Sequence, residues 1–198
     1  MMKPAVIVLL GGVFMLVAGT GCKPTEGGIT SPSDKYRAAL AATAPTSPPP
    51  LAPGSDAERA AIGRLVAMFG DFNASNVTAR VREVYAADAY LRDGFKELQG
   101  VEAIAPYMIR STEPQRVCRF VFEDITSREG EYYMRWVMEA NLKRDPPERV
   151  ARVIGISHIR FNDEGRVVFQ QDYWDPSDVL YSRIPIAGWM INKVKAGL

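Results

Sequence analysis

The chain has 198 residues, with 24 basic and 23 acidic side chains and a formal net charge of +1 at pH 7. Nucleic-acid binding requires a basic surface, so this balance argues against DNA or RNA as a partner. The chain contains two cysteines, Cys22 and Cys118. If Cys22 is modified at the N-terminus, the folded part has no pair for a disulfide, and its stability must come from its core.

The first 22 residues have the order of a bacterial export signal. Lys3 precedes an apolar run, residues 5–18, that is too short for a typical membrane span. The run ends in Gly-Thr-Gly-Cys at positions 19–22, which resembles the lipobox of bacterial lipoproteins, where the cysteine receives the lipid. We therefore expect a signal peptide over 1–22, lipidation at Cys22 and a location in the bacterial cell envelope, anchored to a membrane and facing the periplasm or the exterior. The alternative is an uncleaved anchor with an incidental cysteine.

Residues 23–54 are rich in Pro, Thr, Ser and Ala and have no apolar periodicity. Such a segment buries too little apolar surface to offset the entropy lost on ordering. We predict a disordered tether over 23–54 and one folded domain over 55–198.

The first half of this domain predicts three helices. Ser55 and Glu58 form a capping box that starts the first helix, the second follows Ser75 or Asn76, and Gly100 starts the third. The apolar residues that recur at helical spacing are Ile62, Leu65, Val66 and Phe69, then Val77, Val81, Val84 and Tyr85, then Val101, Ile104, Tyr107 and Met108.

After Pro114 the pattern changes to strands. The predicted strands are 117–125, 132–142, 150–161 and 167–174, and Gly-ended turns join them in pairs. Helices followed by hairpins predict an α+β domain, with helices packed on one side of a curved antiparallel sheet. The terminal segment, residues 184–198, is expected to pack across one end of the domain or to form a homodimer interface. The alternative is contact with a membrane surface.

Three stretches of the domain carry a family signature. They are Val84–Asp93, Gly100–Ile104 and Phe161–Val168, the last leading into Asp172–Asp175. These stretches resemble the nuclear transport factor 2-like superfamily, particularly its SnoaL-like and ketosteroid-isomerase-like branches. The resemblance implies a cone, in which a strongly bent sheet wraps around helices and leaves a pocket at one end. The superfamily contains enzymes of several classes and non-catalytic binding modules, so the fold does not define an activity.

Asp93 lies, by this resemblance, where ketosteroid isomerases place their proton-shuttling aspartate. That chemistry needs a carboxylate in an apolar cavity, where desolvation raises its pKa. The alternative is that Asp93 starts a turn with the glycine that follows it. Such isomerases also bind the enolate oxygen with a tyrosine and a protonated aspartate. The available tyrosines are Tyr85, Tyr90 and Tyr107, but no clear counterpart of the second acidic donor can be placed on the middle strands.

Asp172 is similar in position to the acid that SnoaL-like cyclases and limonene-epoxide hydrolases place on their last strand. The hydrolases would also need an Arg-x-Asp pair, and residues 117–142 contain none. Strand alternation puts Asp172 and Trp174 on one face and Tyr173 and Asp175 on the other. We therefore expect Asp172 and Trp174 to face the pocket.

His158 is the only histidine. It has no nearby cysteine or carboxylate pattern for zinc, so we predict no metal site. It is either an ordinary sheet residue or an acid–base partner of Asp172.

Trp136 and Met138 share one strand face with Tyr132 and Met134. Trp136 and Met138, together with Tyr107 and Trp174, are the predicted lining of a hydrophobic pocket. Plain core packing is the alternative. We expect the domain to bind a small hydrophobic molecule without chemistry and without a cofactor.

The alternative function is an isomerase- or cyclase-type enzyme. In that hypothesis Asp93, Asp172 or both move protons on a ketone-bearing ring, and His158 or Tyr90 assists.

Overall fold

The fold combines four helices with one six-stranded sheet in the part of the chain that the structure describes. The structure is a computed structural model, and it describes residues 32–176 together with Trp189, Lys193 and Gly197. The predicted signal peptide, Cys22, residues 23–31 and most of the terminal segment lie outside the described residues. The elements are α1 (Pro32–Ala42), α2 (Asp56–Gly70), α3 (Ala74–Val84), β1 (Tyr85–Arg92), β2 (Glu97–Gln99), α4 (Val101–Thr112), β3 (Gln115–Arg128), β4 (Glu131–Leu142), β5 (Ala151–Phe161) and β6 (Val167–Trp174).

The helix starts follow from their capping residues. Ser55 accepts a hydrogen bond from the Glu58 amide at 3.1 Å, as the capping box predicts. Asn73 caps α3 through the Asn76 amide at 2.9 Å, two residues before the predicted start. Gly100, with φ +85°, precedes α4 as expected. No helix within residues 32–176 is long and apolar enough to cross a membrane.

The sheet has the strand order β2-β1-β6-β5-β4-β3. The four long strands form the predicted antiparallel hairpins. The prediction of an antiparallel sheet is wrong for one pair, because β1 lies parallel to β6. β1 enters the sheet directly from α3 and not through a hairpin, so no tight turn forces it to run opposite to its neighbour. The sheet is therefore mixed, and the predicted α+β class with a curved sheet and helices is confirmed.

Helices α2, α3 and α4 share one core with the inner face of the sheet. Fully buried apolar residues from both layers form this core, among them Leu65, Met68, Val77, Val81, Ile104, Met134 and Ile159. The inward residues predicted for the second helix and its end, Val77 to Tyr85, are all buried.

The prediction of a disordered tether is wrong for residues 32–54. Helix α1 packs on the outer face of the sheet, where the Tyr36 ring lies 5.9 Å from that of Phe169. Arg160 donates hydrogen bonds to the Leu40 carbonyl at 2.5 Å and to the Thr43 hydroxyl at 3.0 Å. Leu51 is buried in the core. The sequence pattern missed this because α1 has no apolar stripe of its own. Hydrogen bonds from Arg160 and the ring contact of Tyr36, both to strands far along the chain, hold it in place.

Candidate functional site

A cavity of about 460 Å³ lies between the helices and the inner face of the sheet. Most of its lining is apolar, and its aromatic members are Phe69, Phe72, Phe95, Tyr107, Phe120, Trp136 and Trp174. Its volume falls within the range of small-molecule sites. The cavity brings together six predicted site residues, namely Asp93, Tyr107, Trp136, Met138, Asp172 and Trp174. Their functional roles stay predictions.

Asp172 belongs to a chain of hydrogen bonds at one end of the cavity. Ser157, its direct partner across the β5–β6 pair, donates to Oδ1 at 2.6 Å. Gln170, two residues earlier on the same face, donates from Nε2 to Oδ1 at 2.9 Å and to Oδ2 at 3.1 Å. Behind them, Tyr85 donates to Gln170 at 2.5 Å and the Trp136 indole donates to Ser157 at 2.9 Å. The register of two strands therefore fixes the carboxyl group.

Burial raises the pKa of Asp172 to about 7. The hydrogen bonds from Ser157 and Gln170 act in the opposite direction, and the negative charge of Asp93 adds to the rise. Asp172 is only half-buried by accessible surface area, because part of its surface faces the open space of the cavity. Asp172 therefore gains or loses a proton near neutral pH.

Both carboxylate oxygens of Asp93 accept hydrogen bonds, one from the turn that follows it and one from α4. Its Oδ1 accepts hydrogen bonds from the amides of Phe95 and Lys96, each at 3.0 Å, and the Tyr107 hydroxyl donates to Oδ2. The Trp174 indole donates to the Asp93 carbonyl at 2.6 Å. Asp93 therefore closes the turn, as one interpretation predicted, and also lines the cavity, where the other interpretation placed it. The Asp93 carboxylate therefore already accepts three hydrogen bonds from the protein.

His158 and Tyr90 do not line the cavity. His158 binds Glu131 through Nε2 at 2.5 Å and stacks on Tyr133 at 4.7 Å. Tyr90 donates to Glu97 at 2.7 Å. The prediction that either residue assists at the pocket is wrong, because strand alternation turns both toward the outer face of the sheet.

The outer face instead contains a compact ionic cluster. Arg160 forms a two-point pair with Glu131, at 2.6 and 2.8 Å, and His158 contacts the same carboxylate. Burial raises the pKa of Glu131, but the hydrogen bonds from Arg160 and His158 outweigh it and lower the pKa below its ordinary value. This cluster fixes α1 and does not contribute to the cavity.

Sequence reasoning missed Ser157, Gln170 and Phe120 as neighbours of the site. Ser157 and Gln170 could have been found by combining the alternation of β5 and β6 with the register set by their Gly-ended turn. It also missed Lys143 and Arg144, which follow β4 and line the cavity. Among residues 32–176, no group of three His, Cys, Asp or Glu side chains is placed to hold a metal ion.

Solved structures with this fold resemble the chain. A hypothetical protein with a ketosteroid isomerase-like fold from Catenulispora acidiphila, in complex with trimethylamine, is 18% identical with a TM-score of 0.52, covering 61% of this chain and 88% of that one. A putative SnoaL-like polyketide cyclase from Jannaschia is 13% identical with a TM-score of 0.53, covering 66% and 95%. An LEH-like epoxide hydrolase of M. tuberculosis is 13% identical with a TM-score of 0.51, covering 69% and 96%. At these identities the likeness shows the fold alone.

A search among curated proteins found no match. The SnoaL-like domain, as a family, matches residues 64–170, which is more than half of the chain and runs from within α2 to within β6. The mixed sheet, the helices and the cavity agree with that match. The chain therefore belongs to the SnoaL-like domain family, within the nuclear transport factor 2-like fold.

Proposed function

We propose that the domain binds a small, largely apolar molecule in its cavity. The observation that carries this proposal is the cavity itself, about 460 Å³ of space with a mostly apolar and aromatic lining. Apolar surface left open in this way favours a ligand that removes it from water.

Binding is favoured over catalysis by the state of the hydrogen-bond donors around the two carboxylates. Proton transfer next to a ketone needs a donor for the oxygen that becomes negative. Among the described residues at this end of the cavity, the Tyr107 hydroxyl donates to Asp93, the Trp174 indole donates to the Asp93 carbonyl, and Ser157 donates to Asp172. An enzyme would have to release one of these donors first.

Titration with N-phenyl-1-naphthylamine, a neutral probe that fluoresces in apolar sites, tests the proposal. Met138→Glu places a charge in the cavity and is expected to abolish the fluorescence gain. Val137→Glu, one residue away on the opposite face, is the matched control and should bind as the unmodified protein does. Absence of binding by the unmodified protein, or equal loss in both variants, would refute the proposal. Mass spectrometry of molecules that co-purify with the protein would identify the ligand.

A second candidate function is acid–base catalysis on a ketone-bearing ring. It is favoured by one observation, the pKa of about 7 for Asp172 inside an apolar cavity. Its carboxylate would take a proton from the carbon next to the ketone and return it to another carbon, so no other reactant is needed.

A β,γ-unsaturated cyclic ketone tests this candidate, because its conversion to the conjugated isomer changes the ultraviolet absorbance. Asp172→Asn is expected to abolish conversion, and Asp124→Asn, an exposed acid on β3, should leave it unchanged. The candidate is wrong if the unmodified protein binds the ketone without converting it.

The N-terminal sequence supports a location for the domain in the bacterial cell envelope. Residues 1–22 have the order of a lipoprotein signal, so the domain would be lipid-anchored through Cys22 in the bacterial cell envelope. Metabolic labelling with a radioactive fatty acid is expected to mark the protein, and Cys22→Ala is expected to remove the label. A label that survives this substitution would exclude Cys22 as the attachment point.

A further inference from the structure

The polar groups of the cavity are separated into two ends. The strand register places Asp172 level with Met134, because both pair with Ser157, and Asp93 follows Arg92, the partner of Gln171. Lys143 and Arg144 line the other end, where β4 has just ended. Alternate residues of β4, from Trp136 to Leu142, line the space between the two ends. The cavity therefore has an acidic end, an apolar middle and a basic end.

The separation of the ends can be estimated along β4. Trp136 is joined to Asp172 through Ser157, so it marks the acidic end. Lys143 follows it by seven positions. At about 3.3 Å per residue, the two ends are roughly 23 Å apart along the strand. A ligand that spans the cavity is therefore elongated.

The two cations at the basic end have no ion-pair partner within the described residues. Lys143 and Arg144 are both exposed, and neither side chain belongs to an ion pair found over residues 32–176. An unpaired cation pair beside an apolar cavity attracts an anionic group that can stay partly hydrated while its apolar body enters.

The backbone that presents these cations is fixed. Arg116 donates to the carbonyls of Lys143 at 2.9 Å and Asp145 at 3.2 Å, and to the side chain of Asn141 at 2.8 Å. Asn141 is buried and donates to the carbonyls of Pro146 and Arg149 at 2.9 and 3.0 Å. The turn after β4 is thus held in one conformation, so the two side chains start from fixed positions at the cavity rim.

We propose that the ligand is a single-chain amphiphile with an anionic head, such as a carboxylate, held by Lys143 and Arg144, and that its apolar body enters toward Trp136. The proposal rests on the proposed binding function and names the class of its ligand. The orientation follows from charge, because Asp93 and an ionised Asp172 repel an anion at the inner end. An uncharged group at the far end of the ligand would meet Asp172.

The test uses N-phenyl-1-naphthylamine as a neutral reporter of the apolar cavity, with dodecanoate and dodecan-1-ol as competitors. Dodecanoate is kept below its micelle concentration and the alcohol below its solubility limit. The two competitors share one chain and differ in the charge of the head. We expect dodecanoate to displace the reporter at about tenfold lower concentration than the alcohol, the size expected for one or two partly exposed charge contacts. Added salt should reduce that ratio.

Matched variants locate the effect. Lys143→Gln combined with Arg144→Gln is expected to bring the ratio to about one. Because the ratio compares two competitors in the same variant, a change in reporter affinity does not affect it. Lys35→Gln combined with Arg37→Gln changes the net charge equally on the exposed surface of α1, away from the cavity, and should keep the tenfold ratio.

Each failure has a separate meaning. If the unmodified protein does not bind the reporter, the proposed function itself is wrong. If the reporter binds but the two competitors act equally, or if both double variants lower the ratio to the same extent, the anionic head is wrong and the apolar ligand stands.

Discussion

Asp172 should make the protein less stable as the pH rises from 4 to 7. Its pKa increases from 3.8 in an unfolded chain to about 7 in the folded protein, chiefly because of burial. The folded protein therefore holds a proton that the unfolded chain has released, and in that window stability falls with rising pH. Above pH 7 both states are ionised and the loss is complete.

The size of the effect follows from the same interval. At about 1.36 kcal/mol for each pH unit between the two pKa values, the free energy of unfolding falls by at most about 4 kcal/mol. Other acids act in the opposite direction, since the lowered pKa of Glu131 makes stability fall as the pH decreases. A single pH profile would mix these contributions, and a comparison with a variant that removes only one of them separates the two.

Asp172→Asn is that variant, because an asparagine oxygen can still accept from Ser157 and Gln170 but the group does not ionise. We expect its free energy of unfolding, minus that of the unmodified protein, to rise by up to about 4 kcal/mol between pH 4 and pH 8. Urea unfolding at intervals of one pH unit measures this difference. The exposed Asp124→Asn is the control and should give a constant difference. A constant difference for Asp172→Asn as well would refute the argument that burial controls this carboxyl group.

Three further substitutions test other parts of the fold. Gly155→Ala would put a Cβ into the ring of Trp136. We therefore expect the free energy of unfolding in urea to fall by about 1–3 kcal/mol and the binding of N-phenyl-1-naphthylamine to weaken. Unchanged stability and binding would contradict this packing. Arg160→Met leaves Glu131 with one partner, so the free energy of unfolding should fall by up to about 3 kcal/mol. The same substitution should make α1 susceptible to limited proteolysis, because Arg160 also binds the Leu40 carbonyl. An undigested α1 would show that Arg160 does not hold it. Ser55→Ala removes the α2 cap and should lower the free energy of unfolding in urea by about 1 kcal/mol. Ser55→Thr keeps a capping hydroxyl and is the control. An equal loss in both variants would contradict a capping role.

The main elements of the fold could be predicted because their signals are local. Capping at Ser55, the positive φ of Gly100 and the Gly-ended turn at Gly165 each fix a boundary from a few neighbouring residues. Strand alternation also predicted correctly that Trp174 lies on the same face as Asp172 and that Tyr173 points outward, where it is 52% exposed.

The errors arose where a partner far along the chain decides the outcome. Helix α1 is stabilised by Arg160, more than 100 residues later, and β1 pairs in parallel with β6, which begins only at Val167. The site shows the same limit. His158 and Asp172 seemed suitable partners by chemistry, but the pairing register puts Ser157 opposite Asp172 and sends His158 to the other face.

This separation of faces lets stability and binding be perturbed independently. On the outer face, Arg160 donates hydrogen bonds to the Glu131 carboxylate and to the Leu40 carbonyl near the end of α1. Neither of these partners lines the cavity. On the inner face, Asp172 is a residue whose burial lowers stability at neutral pH, and the open space beside it is where a ligand would lie. Arg160→Met should therefore weaken folding without changing the affinity for an apolar probe. Asp172→Asn should strengthen folding at pH 8 and alter only the polar end of the site. The two substitutions therefore separate a loss of folding stability from a change at the polar end of the cavity.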